Sequence, residues 1–343
     1  MTKRASLETA ALDGRLRETV AGYRRSQVIY AAVKLGIPDA LSADPLTSEV
    51  LARACGADPE VLPRFLSVLT AEDLLAEEAG HYRLTPLGAR LCSNSSGGLS
   101  DWVITSCEEQ FQAWGHVLHT LRTGTPAFDA AFGMSFWDYL GKHREAAEAY
   151  QAGMAGSIRD ACELALETCD FTGVRHLVDV GAGRGVLSRA VLTAIDGLRV
   201  TLADLPEVVA HAGELLRQAG FGDRVTLAPG SFLADVPAGG DLYVLCRVLA
   251  DWGEDDARRI LENCRRAMEP GSRLLIVEGL TPMEGGSGAA RGLLDLHLLL
   301  LIGGRERTEA ELRDMLTDSG FHRIRVAQAA HGRLSAVEAE AAR

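Results

Sequence analysis

The sequence predicts an α/β protein of two domains, in which a doubly wound sheet follows an N-terminal, mostly helical domain. After residue 168, short apolar strands alternate with amphipathic helices, which is typical of a parallel sheet with helices on both faces. Before residue 100, helical patterns precede a short alternating segment with a glycine turn, and this order indicates a winged helix. With 343 residues, the chain is long enough to form two hydrophobic cores.

Residues 1–100 are expected to form the winged-helix domain. One helix is expected to begin after Thr47, whose side chain can cap the first turn, and the next is expected to begin at Asp58. From Leu75 to Thr85, apolar and polar residues alternate around a glycine, as they do in a β-hairpin. Helix, turn, helix and hairpin follow one another in the order of a winged helix.

A winged helix can bind DNA, but the charge of this one argues against it. Around the presumed recognition helix, Arg64 is accompanied by six acidic side chains: Asp58, Glu60, Glu72, Asp73, Glu77 and Glu78. Acidic groups repel phosphates, and the whole chain carries a net charge of −12. We therefore expect a scaffold or dimerisation role and no nucleic-acid partner.

Residues 101–168 are expected to form a helical linker that is rich in aromatic side chains. These aromatic residues are Phe111, Trp114, Phe128, Phe132, Phe136, Trp137, Tyr139 and Tyr150. Most of them are expected to fill a core between the domains, and some could line the pocket of a flat aromatic substrate.

Residues 169–343 are expected to form the doubly wound, Rossmann-like domain. Its predicted strands, besides one that ends near Asp179, are Val200–Leu205, Val225–Pro229, Leu242–Leu249 and Leu274–Gly279. Between the last two strands, one helical face carries five apolar side chains: Ala257, Ile260, Leu261, Cys264 and Met268. In a sheet of this kind, ligands bind at the carboxyl edge of the strands.

The most specific motif is the stretch Leu177-Val-Asp-Val-Gly-Ala-Gly-Arg-Gly185. In this stretch an apolar strand is followed by three glycines and then by a helix. Because glycine has no Cβ, the backbone can come close to a ligand, and the first N–H groups of the helix are free to bind it. About twenty residues later, Asp204 ends a second strand, where its carboxylate can accept both hydroxyls of a ribose. The spacing G-x-G-x-G, with Asp179 two residues ahead, favours S-adenosylmethionine over a dinucleotide. A dinucleotide site and a plain strand-to-helix turn are the alternatives.

Composition and cysteine spacing limit the remaining possibilities. The seven cysteines are scattered, odd in number and without a C-x-x-C pair, so we expect neither a disulfide framework nor a zinc site. We expect no metal, because at most Asp295 and His297 could contribute ligands. The longest apolar run, Leu293–Ile302, is too short for a bilayer, and the N-terminus lacks the apolar core of a signal peptide. We therefore expect a cytoplasmic protein without a membrane partner.

Six short motifs follow one another along the chain: Asp179–Gly185, Asp204-Leu-Pro206, Gly230-Ser-Phe232, Arg247–Trp252, Asn263–Met268 and Gly303–Thr308. Their succession resembles that of the class II small-molecule O-methyltransferases, which include plant phenolic, hydroxyindole and bacterial polyketide-tailoring enzymes. The resemblance covers nearly the whole chain, including the winged helix and the segment Arg122–Phe128. It implies a doubly wound, Rossmann-like methyltransferase domain and a winged-helix dimerisation domain that forms an intertwined homodimer.

The resemblance also implies roles for individual residues. The cofactor S-adenosylmethionine would lie against Asp179, Gly181, Gly183, Asp204, Leu205, Ser231, Phe232, Cys246, Arg247 and Trp252. The substrate, an aromatic or polyketide-like small molecule of antibiotic or other natural-product biosynthesis, would contact His116, Phe136, Met154 and His297. The implied reaction transfers the methyl group of the cofactor to a hydroxyl of that substrate.

One position departs from the pattern of the family. In its His-Asp-Trp motif, the histidine removes the proton from the substrate hydroxyl, whereas this chain reads Ala250-Asp251-Trp252. Alanine cannot accept a proton, and a positioned base contributes roughly 10²–10⁴-fold to a rate. The two carboxylates that flank the histidine in the family remain here as Glu278 and Glu306, and they are expected to belong to the catalytic site.

Three explanations of Ala250 remain open. The enzyme could methylate an already acidic hydroxyl, or a carbon ortho to a phenol, by holding the reactants in line. Another histidine could serve as the base: His297, or one of His116 and His119, which lie three residues apart and would share a helix face. The fold could also bind S-adenosylmethionine without transferring its methyl group, as hydroxylases, decarboxylases or pericyclases of the family do. A winged-helix ligand sensor without enzymatic activity is the last alternative.

Overall fold

The computed structural model describes residues 3–95, 99–281, 289–329 and 334–342. Its helices are α1 Lys3–Ala21, α2 Tyr23–Lys34, α3 Ile37–Ala40, α4 Ser48–Cys55, α5 Leu62–Ala71, α6 Leu99–Cys107, α7 Glu109–Trp114, α8 Val117–Thr123, α9 Ala127–Phe132, α10 Phe136–Lys142, α11 Arg144–Thr168, α12 Val186–Ala194, α13 Pro206–Gln218, α14 Glu254–Ala267, α15 Ala289–Ile302 and α16 Glu309–Asp318. Its strands are β1 Leu46–Thr47, β2 Leu75–Glu78, β3 His81–Leu84, β4 His176–Val180, β5 Arg199–Asp204, β6 Val225–Pro229, β7 Leu242–Cys246, β8 Arg273–Glu278, β9 Leu280–Thr281, β10 Arg307–Thr308, β11 Phe321–Gln328 and β12 Ser335–Ala341.

The chain separates into two compact units. The first comprises residues 1–112 and 148–154, and the second comprises residues 113–147 and 155–343. Helix α11 contributes to both units. The domain boundaries that we expect from the sequence stay predictions.

The first unit contains the predicted β-hairpin. Strands β2 and β3 pair antiparallel, with Leu75 opposite Leu84, and the short strand β1 pairs with the other edge of β3. The two turn residues, Ala79 and Gly80, have φ angles of 49° and 77°, and two left-handed residues are what a tight two-residue hairpin turn requires. Leucines of α4 and α5 share one core with the hairpin: Leu51, Leu62, Leu66 and Leu69.

The two predicted helix starts in this unit have different outcomes. Thr47 caps α4 as predicted, because its Oγ1 accepts a backbone N–H of the first turn. The prediction that the next helix begins at Asp58 is wrong, since α5 begins at Leu62. Asp58 closes a turn instead, because its Oδ1 accepts the backbone N–H groups of Glu60 and Val61.

The second unit is built on a seven-stranded sheet with the order β11-β12-β8-β7-β4-β5-β6. Strands β4 to β8 all run in the same direction, whereas β12 pairs antiparallel with both β8 and β11. The strand order reverses beside β4, which has β5 on one side and β7 on the other. Such a switch point leaves a crevice at the carboxyl ends of the strands. The predicted doubly wound sheet is confirmed, and the antiparallel strand is an addition to it.

Strand β7 ends earlier than the sequence predicts. It ends at Cys246 rather than at Leu249, because Arg247 has a φ of 59°, which an extended strand cannot accommodate. The chain then forms a 3-10 turn. As a consequence, Ala250 and Asp251 lie at the carboxyl edge of the sheet, beside the switch point.

Alternate strand residues divide the core of the second unit between the two faces of the sheet. Leu242 and Val244 of β7 pack on the face covered by α11, α12 and α13, whereas Tyr243 and Leu245 pack on the face covered by α14 and α16. The predicted apolar face of α14 is confirmed, and all its members are buried: Ala257, Ile260, Leu261, Cys264 and the following Met268.

The cysteines of this chain are free thiols and lie mostly in the interior. All seven cysteines have free thiols, and five of them are buried: Cys92, Cys162, Cys169, Cys246 and Cys264. These five are the small core residues that the scattered spacing indicates. In the described part of the chain, no helix combines the length and the apolar character that crossing a membrane requires.

Candidate active site

A glycine-rich loop joins β4 to α12 at the carboxyl edge of the sheet. Gly181, Gly183 and Gly185 have φ angles of 76°, 53° and 71°, which residues with a Cβ rarely adopt. A Cβ on Gly181 would lie 2.7 Å from Cγ2 of Val248, whereas a Cβ on Gly183 would have no atom within 4 Å. The loop therefore packs against Val248 at its start and faces open space at Gly183.

Asp204, at the end of β5, holds this loop in place. Its Oδ2 accepts the N–H of Gly183 at 2.9 Å, and its Oδ1 accepts the N–H of Leu205 at 2.7 Å. Burial raises the pKa of the Asp204 carboxyl. Each carboxylate oxygen keeps a lone pair for another donor, so the group can accept hydroxyls of a ligand while it fixes the loop.

Asp179 lies beneath the loop and is 1 % exposed. Its Oδ2 accepts a hydrogen bond from the Ser188 hydroxyl at 2.6 Å, which joins β4 to α12. Burial raises the pKa of Asp179 to about 6, because the charged form loses its hydration. This geometry favours a role in shaping the loop over direct contact with a ligand.

We expect Asp179→Asn to stabilise the unliganded protein at neutral and higher pH. A carboxyl whose pKa rises on folding from 3.8 to about 6 favours the folded state while it is protonated, so stability is lost as the pH rises through this interval. About two pKa units correspond to about 3 kcal/mol. Asparagine avoids this loss, because it keeps an acceptor for Ser188 and carries no charge.

The free energy of unfolding in urea, measured near pH 4 and near pH 8, tests this expectation. The variant and the unaltered protein should have similar free energies of unfolding near pH 4, and the variant should have the higher value near pH 8. Asp223→Asn, at an exposed position of the same unit, is the control and should change stability by less than about 0.5 kcal/mol. A difference for Asp179→Asn that does not change with pH would contradict the electrostatic cause.

Phe232 and Trp252 form an aromatic pair in the second unit. Their rings meet edge to face, with centroids 5.7 Å apart. The carbonyl of Phe232 accepts Nδ2–H of Asn263 at 2.8 Å, and the N–H of Gly230 donates to the carbonyl of Asp204 at 2.9 Å. The segment that carries Phe232 is therefore tied both to α14 and to the end of β5.

Three further residues that were predicted to contact a cofactor differ in exposure. Leu205 is exposed after β5 and Ser231 is exposed after β6, so both side chains are open to a ligand. Cys246 is buried at the end of β7, and burial raises the pKa of its thiol well above the usual range. Cys246 therefore offers a ligand little side-chain surface.

Arg247 and Glu278 lie at the ends of the neighbouring strands β7 and β8. Nη1 of Arg247 is 3.7 Å from Oε2 of Glu278, and the N–H of Arg247 donates to the carbonyl of Val277 at 2.9 Å. Burial raises the pKa of Glu278, against the opposing effect of Arg247. Burial and the charge of Glu278 raise the pKa of Asp251 to about 7. This edge of the sheet thus combines one guanidinium with two carboxyl groups that compete for ionisation.

Ala250 lies in a closely packed turn. Its N–H donates to Oε1 of Glu278 at 3.4 Å, and its carbonyl accepts the N–H of Arg305 at 2.9 Å. A cavity beside Ala250, of about 10 Å³, has room for about one water molecule. This interior cavity is therefore too small to hold a ligand.

Arg307 and Glu306 connect this turn to the segment before α16. The guanidinium of Arg307, which is buried, donates to the carbonyl of Leu249 at 2.8 Å and to the carbonyl of Trp252 at 3.0 Å. Glu306 is also buried, and its N–H donates to Oδ1 of Asp295 at 2.8 Å. The predicted catalytic residues Glu278 and Glu306 thus lie on two segments that both contact the turn of Ala250.

His297 lies on α15 against Trp114. The Nε1–H of Trp114 donates to Nδ1 of His297 at 2.9 Å, and the two rings stack with centroids 6.2 Å apart. Burial lowers the pKa of His297 to about 4, so the imidazole is neutral at physiological pH. A ring of such low basicity is poorly suited to removing a phenolic proton.

The other residues that were predicted to bind the substrate lie in different settings. His116 is exposed and precedes α8, so the single helix that was expected to carry His116 and His119 is broken at this point. Phe136 is 2 % exposed and packs edge to face on Phe128, with ring centroids 5.1 Å apart, which favours a packing role. Met154 is half-buried on the part of α11 that belongs to the first unit.

Two residues that shape this site escape the reasoning from sequence. Ser188 anchors Asp179, and Asn263 anchors the carbonyl of Phe232. A signal for Asn263 exists, because it begins the motif Asn263–Met268; the structure shows that it is buried on α14. For Ser188, a hydroxyl in the first turn of a helix is too common a feature to single out.

The described residues include no group of three or more histidine, cysteine or carboxylate side chains arranged to hold a metal ion. Asp295, which could have contributed a ligand, instead accepts the N–H of Glu306. His297 uses its Nδ1 to accept the Trp114 hydrogen bond. These two side chains are therefore engaged in other contacts.

Comparison with known proteins gives matches along most of the chain. An O-methyltransferase domain model matches residues 114–322, and an O-methyltransferase dimerisation domain model matches residues 18–94. The phenazine O-methyltransferase PhzM of Lysobacter antibioticus is 38% identical over 340 residues, which cover 99% of each chain. Aclacinomycin 10-hydroxylase RdmB of Streptomyces purpurascens is 34% identical over 298 residues, which cover 84% of this chain and 79% of the hydroxylase.

A solved structure adds a view of bound ligands. It is that of an O-methyltransferase from neocarzinostatin biosynthesis in complex with S-adenosylmethionine and 2-hydroxy-5-methyl naphthoic acid. Its TM-score to this chain is 0.81 at 30% sequence identity, and the match covers 92% of this chain and 96% of that chain.

Proposed function

The chain belongs to the family of S-adenosylmethionine-dependent O-methyltransferases, and on this basis we propose that it methylates a hydroxyl group of an aromatic or polyketide-like small molecule. Membership confirms the predicted fold, a doubly wound, Rossmann-like methyltransferase domain with an N-terminal dimerisation domain. It also confirms the cofactor. The observation that carries the proposal is the glycine loop held by Asp204 at the switch point of the sheet.

The residues of the crevice fit S-adenosylmethionine. Gly183 leaves open space where a side chain would stand, and Asp204 keeps lone pairs for the ribose hydroxyls. Phe232 and Trp252 offer aromatic surface for the adenine. When bound, S-adenosylmethionine supplies an electrophilic methyl group carried by a positively charged sulfur.

The acceptor hydroxyl has to lose its proton without a histidine at position 250. Oε1 of the buried Glu278 accepts the N–H of Ala250. Its Oε2, which has no hydrogen-bond partner among the described residues, lies 3.7 Å from the guanidinium of Arg247. We infer that the hydroxyl is itself acidic, as in a phenol whose ring is conjugated with a ketone or quinone carbonyl, because an ordinary phenol ionises only near pH 10. Holding the ionised oxygen in line with the methyl group supplies the remaining acceleration.

Methyl transfer is tested by incubating the protein with S-adenosylmethionine and a panel of phenolic and polyketide acceptors. Mass spectrometry follows S-adenosylhomocysteine and the acceptor together. Equal amounts of S-adenosylhomocysteine and of an acceptor heavier by one CH₂ would establish the proposed activity. Fragmentation of the product then separates a methylated oxygen from a methylated carbon.

Ala250→His is expected to distinguish ordinary phenols from acidic ones. For a phenol with a pKa near 10, a restored base should raise turnover by at least about tenfold, because a positioned base contributes roughly 10²–10⁴-fold. For a phenol that is already ionised, turnover should change by less than about threefold. Ala250→Asn is the control, since asparagine has a similar size and is no base. An equal gain with both kinds of phenol would contradict the inference that substrate acidity replaces the histidine.

A non-methylating enzyme on the same scaffold is the second candidate. It is favoured by Ala250, which removes the usual base, and by the 34% identity with a hydroxylase. In that case the positive charge of the bound cofactor would act on the substrate electrostatically. Transformation of an acceptor while S-adenosylmethionine stays intact would establish this candidate in place of the first.

We further propose that the chain forms a homodimer through its N-terminal region. Helix α1 and the start of α2 expose Leu12, Leu16, Val20 and Tyr23, which are spaced three or four residues apart and so lie on one face. The match to a dimerisation domain supports this assembly, and sedimentation should give twice the 36.7 kDa of one chain. The acidic side chains near α5 argue against a nucleic-acid partner, and the seven free thiols favour a reducing compartment such as the cytoplasm.

A further inference from the structure

The contact between Trp114 and His297 determines which nitrogen of the histidine carries the proton. Indole Nε1–H can only donate a hydrogen bond, so Nδ1 of His297, 2.9 Å away, has to be the unprotonated nitrogen. A neutral imidazole with a bare Nδ1 carries its proton on Nε2. His297 is therefore held as the Nε2–H tautomer.

The surroundings of His297 keep it neutral and leave Nε2 available. Burial holds its pKa at about 4, and stacking on Trp114 fixes the plane of the ring. Among the described residues, no group accepts a hydrogen bond from Nε2, and the atom is not sealed from solvent. A half-buried N–H without a partner is unfavourable, so it requires an acceptor from water or from a ligand.

The helix that carries this donor also contacts the turn of Ala250. Helix α15, which carries His297, packs against α8, α9 and α10 and also against the 3-10 turn Leu249–Asp251. All of these elements belong to the second unit. The donor thus lies on the helix between the aromatic helices and the turn at which the usual base is missing.

We propose that Nε2–H of His297 donates a hydrogen bond to an acceptor oxygen of the substrate, a carbonyl or carboxylate on the same aromatic system as the reacting hydroxyl. This inference rests on the proposed function and names the substrate class of that site. It assigns His297 to recognition instead of proton removal, because Nδ1 is already occupied and Nε2 carries a hydrogen. Where the acceptor is a ketone or quinone carbonyl, the proposal also accords with Ala250, because such a group on the ring makes the hydroxyl more acidic.

Nuclear magnetic resonance of protein labelled with ¹⁵N in its histidines tests the tautomer. The chain has nine histidines, and the signals that disappear in His297→Gln identify the ring of interest. We expect a protonated Nε2 and a bare Nδ1 whose shifts stay constant between about pH 5.5 and pH 8. Trp114→Phe should release this tautomer and let the ring titrate at a higher pH. A protonated Nδ1 in the unaltered protein would overturn the proposal.

Binding of two probes to the complex with S-adenosylhomocysteine tests the recognition. 1-Hydroxy-2-naphthoate carries the hydroxyl and an acceptor carboxylate, whereas 1-naphthol lacks the carboxylate. By calorimetry, His297→Leu should weaken binding of the hydroxynaphthoate about tenfold and change binding of 1-naphthol by less than about twofold. His297→Gln, which restores an N–H donor, should recover most of the loss.

The outcomes separate this inference from the proposed function. Equal weakening of both probes by His297→Leu would overturn the inference, and so would the absence of any preference for the hydroxynaphthoate in the unaltered protein. Neither measurement uses methyl transfer. If no acceptor is methylated but the preference depends on His297, the proposed function fails and the recognition role stands.

Discussion

Asp204→Ala is expected to weaken binding of S-adenosylmethionine at least about 100-fold. The substitution removes the acceptors of two backbone N–H groups, those of Gly183 and Leu205, so the glycine loop loses its attachment to β5. It also removes the carboxylate that we propose accepts the ribose hydroxyls. Hydrogen bonds to a charged group contribute about 1.5–3 kcal/mol each, and the loss of two corresponds to at least about a hundredfold change. Isothermal titration of the purified variant measures the affinity.

Asp204→Asn separates the acceptor role of this side chain from its size. Both carboxylate oxygens accept backbone N–H groups, so an amide would point its NH₂ group at one of these donors. We therefore expect asparagine to weaken binding nearly as much as alanine does. Asp223→Asn, on an exposed turn of the same unit, should leave the affinity unchanged within about twofold. Undiminished affinity in a folded Asp204→Ala variant would refute the role of this carboxylate.

The elements that the sequence predicts well are those whose signal is local. The apolar face of α14 repeats at helical spacing, and the strand before Gly181 ends in a glycine run that only a sharp turn uses. The antiparallel strand β12 has no such signal, because the direction in which a strand pairs depends on where the chain returns. The sequence predicts that β7 ends at Leu249, three residues beyond its end in the structure, because Arg247 adopts a left-handed conformation that is uncommon for arginine and has no signal in the sequence.

The candidate site also contains contacts that the sequence predicts and contacts that it does not. Asp204 and Gly183 can be paired from sequence, because adjacent parallel strands bring their carboxyl ends together. The hydrogen bond between Trp114 and His297 joins residues that are 183 positions apart, and no pattern along the chain encodes it. That contact is the basis on which we propose His297 as a donor instead of a base. Sequence patterns therefore predict the residues proposed for the cofactor side of the site, whereas those proposed for the substrate side depend on tertiary packing.

Gly304→Ala is expected to have the second large effect, because it acts on the turn that carries Ala250. A Cβ at this position would lie 2.3 Å from the carbonyl oxygen of Ala250 and 2.9 Å from the carbonyl carbon of Asp251. These are backbone atoms, and the Ala250 oxygen is already held by the N–H of Arg305 at 2.9 Å. The turn therefore has to move by about 1 Å to restore an ordinary contact, and such a shift can reduce turnover about a hundredfold. Overpacking of this kind also lowers the free energy of unfolding by about 1–3 kcal/mol.

Turnover and urea unfolding of Gly304→Ala, compared with a second glycine, show whether the collision is the cause. Gly292 lies in α15, and a Cβ there would meet no atom within 4 Å. Gly292→Ala should therefore raise the free energy of unfolding by about 0.5–1 kcal/mol, because alanine favours a helix over glycine, and leave turnover unchanged. Gly304 does not have a positive φ, so alanine can adopt its backbone conformation. The predicted losses of turnover and stability in Gly304→Ala therefore come from the contact with Ala250 and Asp251 alone. Normal turnover in Gly304→Ala would mean that this turn tolerates displacement and that the position of residues 250 and 251 does not limit the reaction.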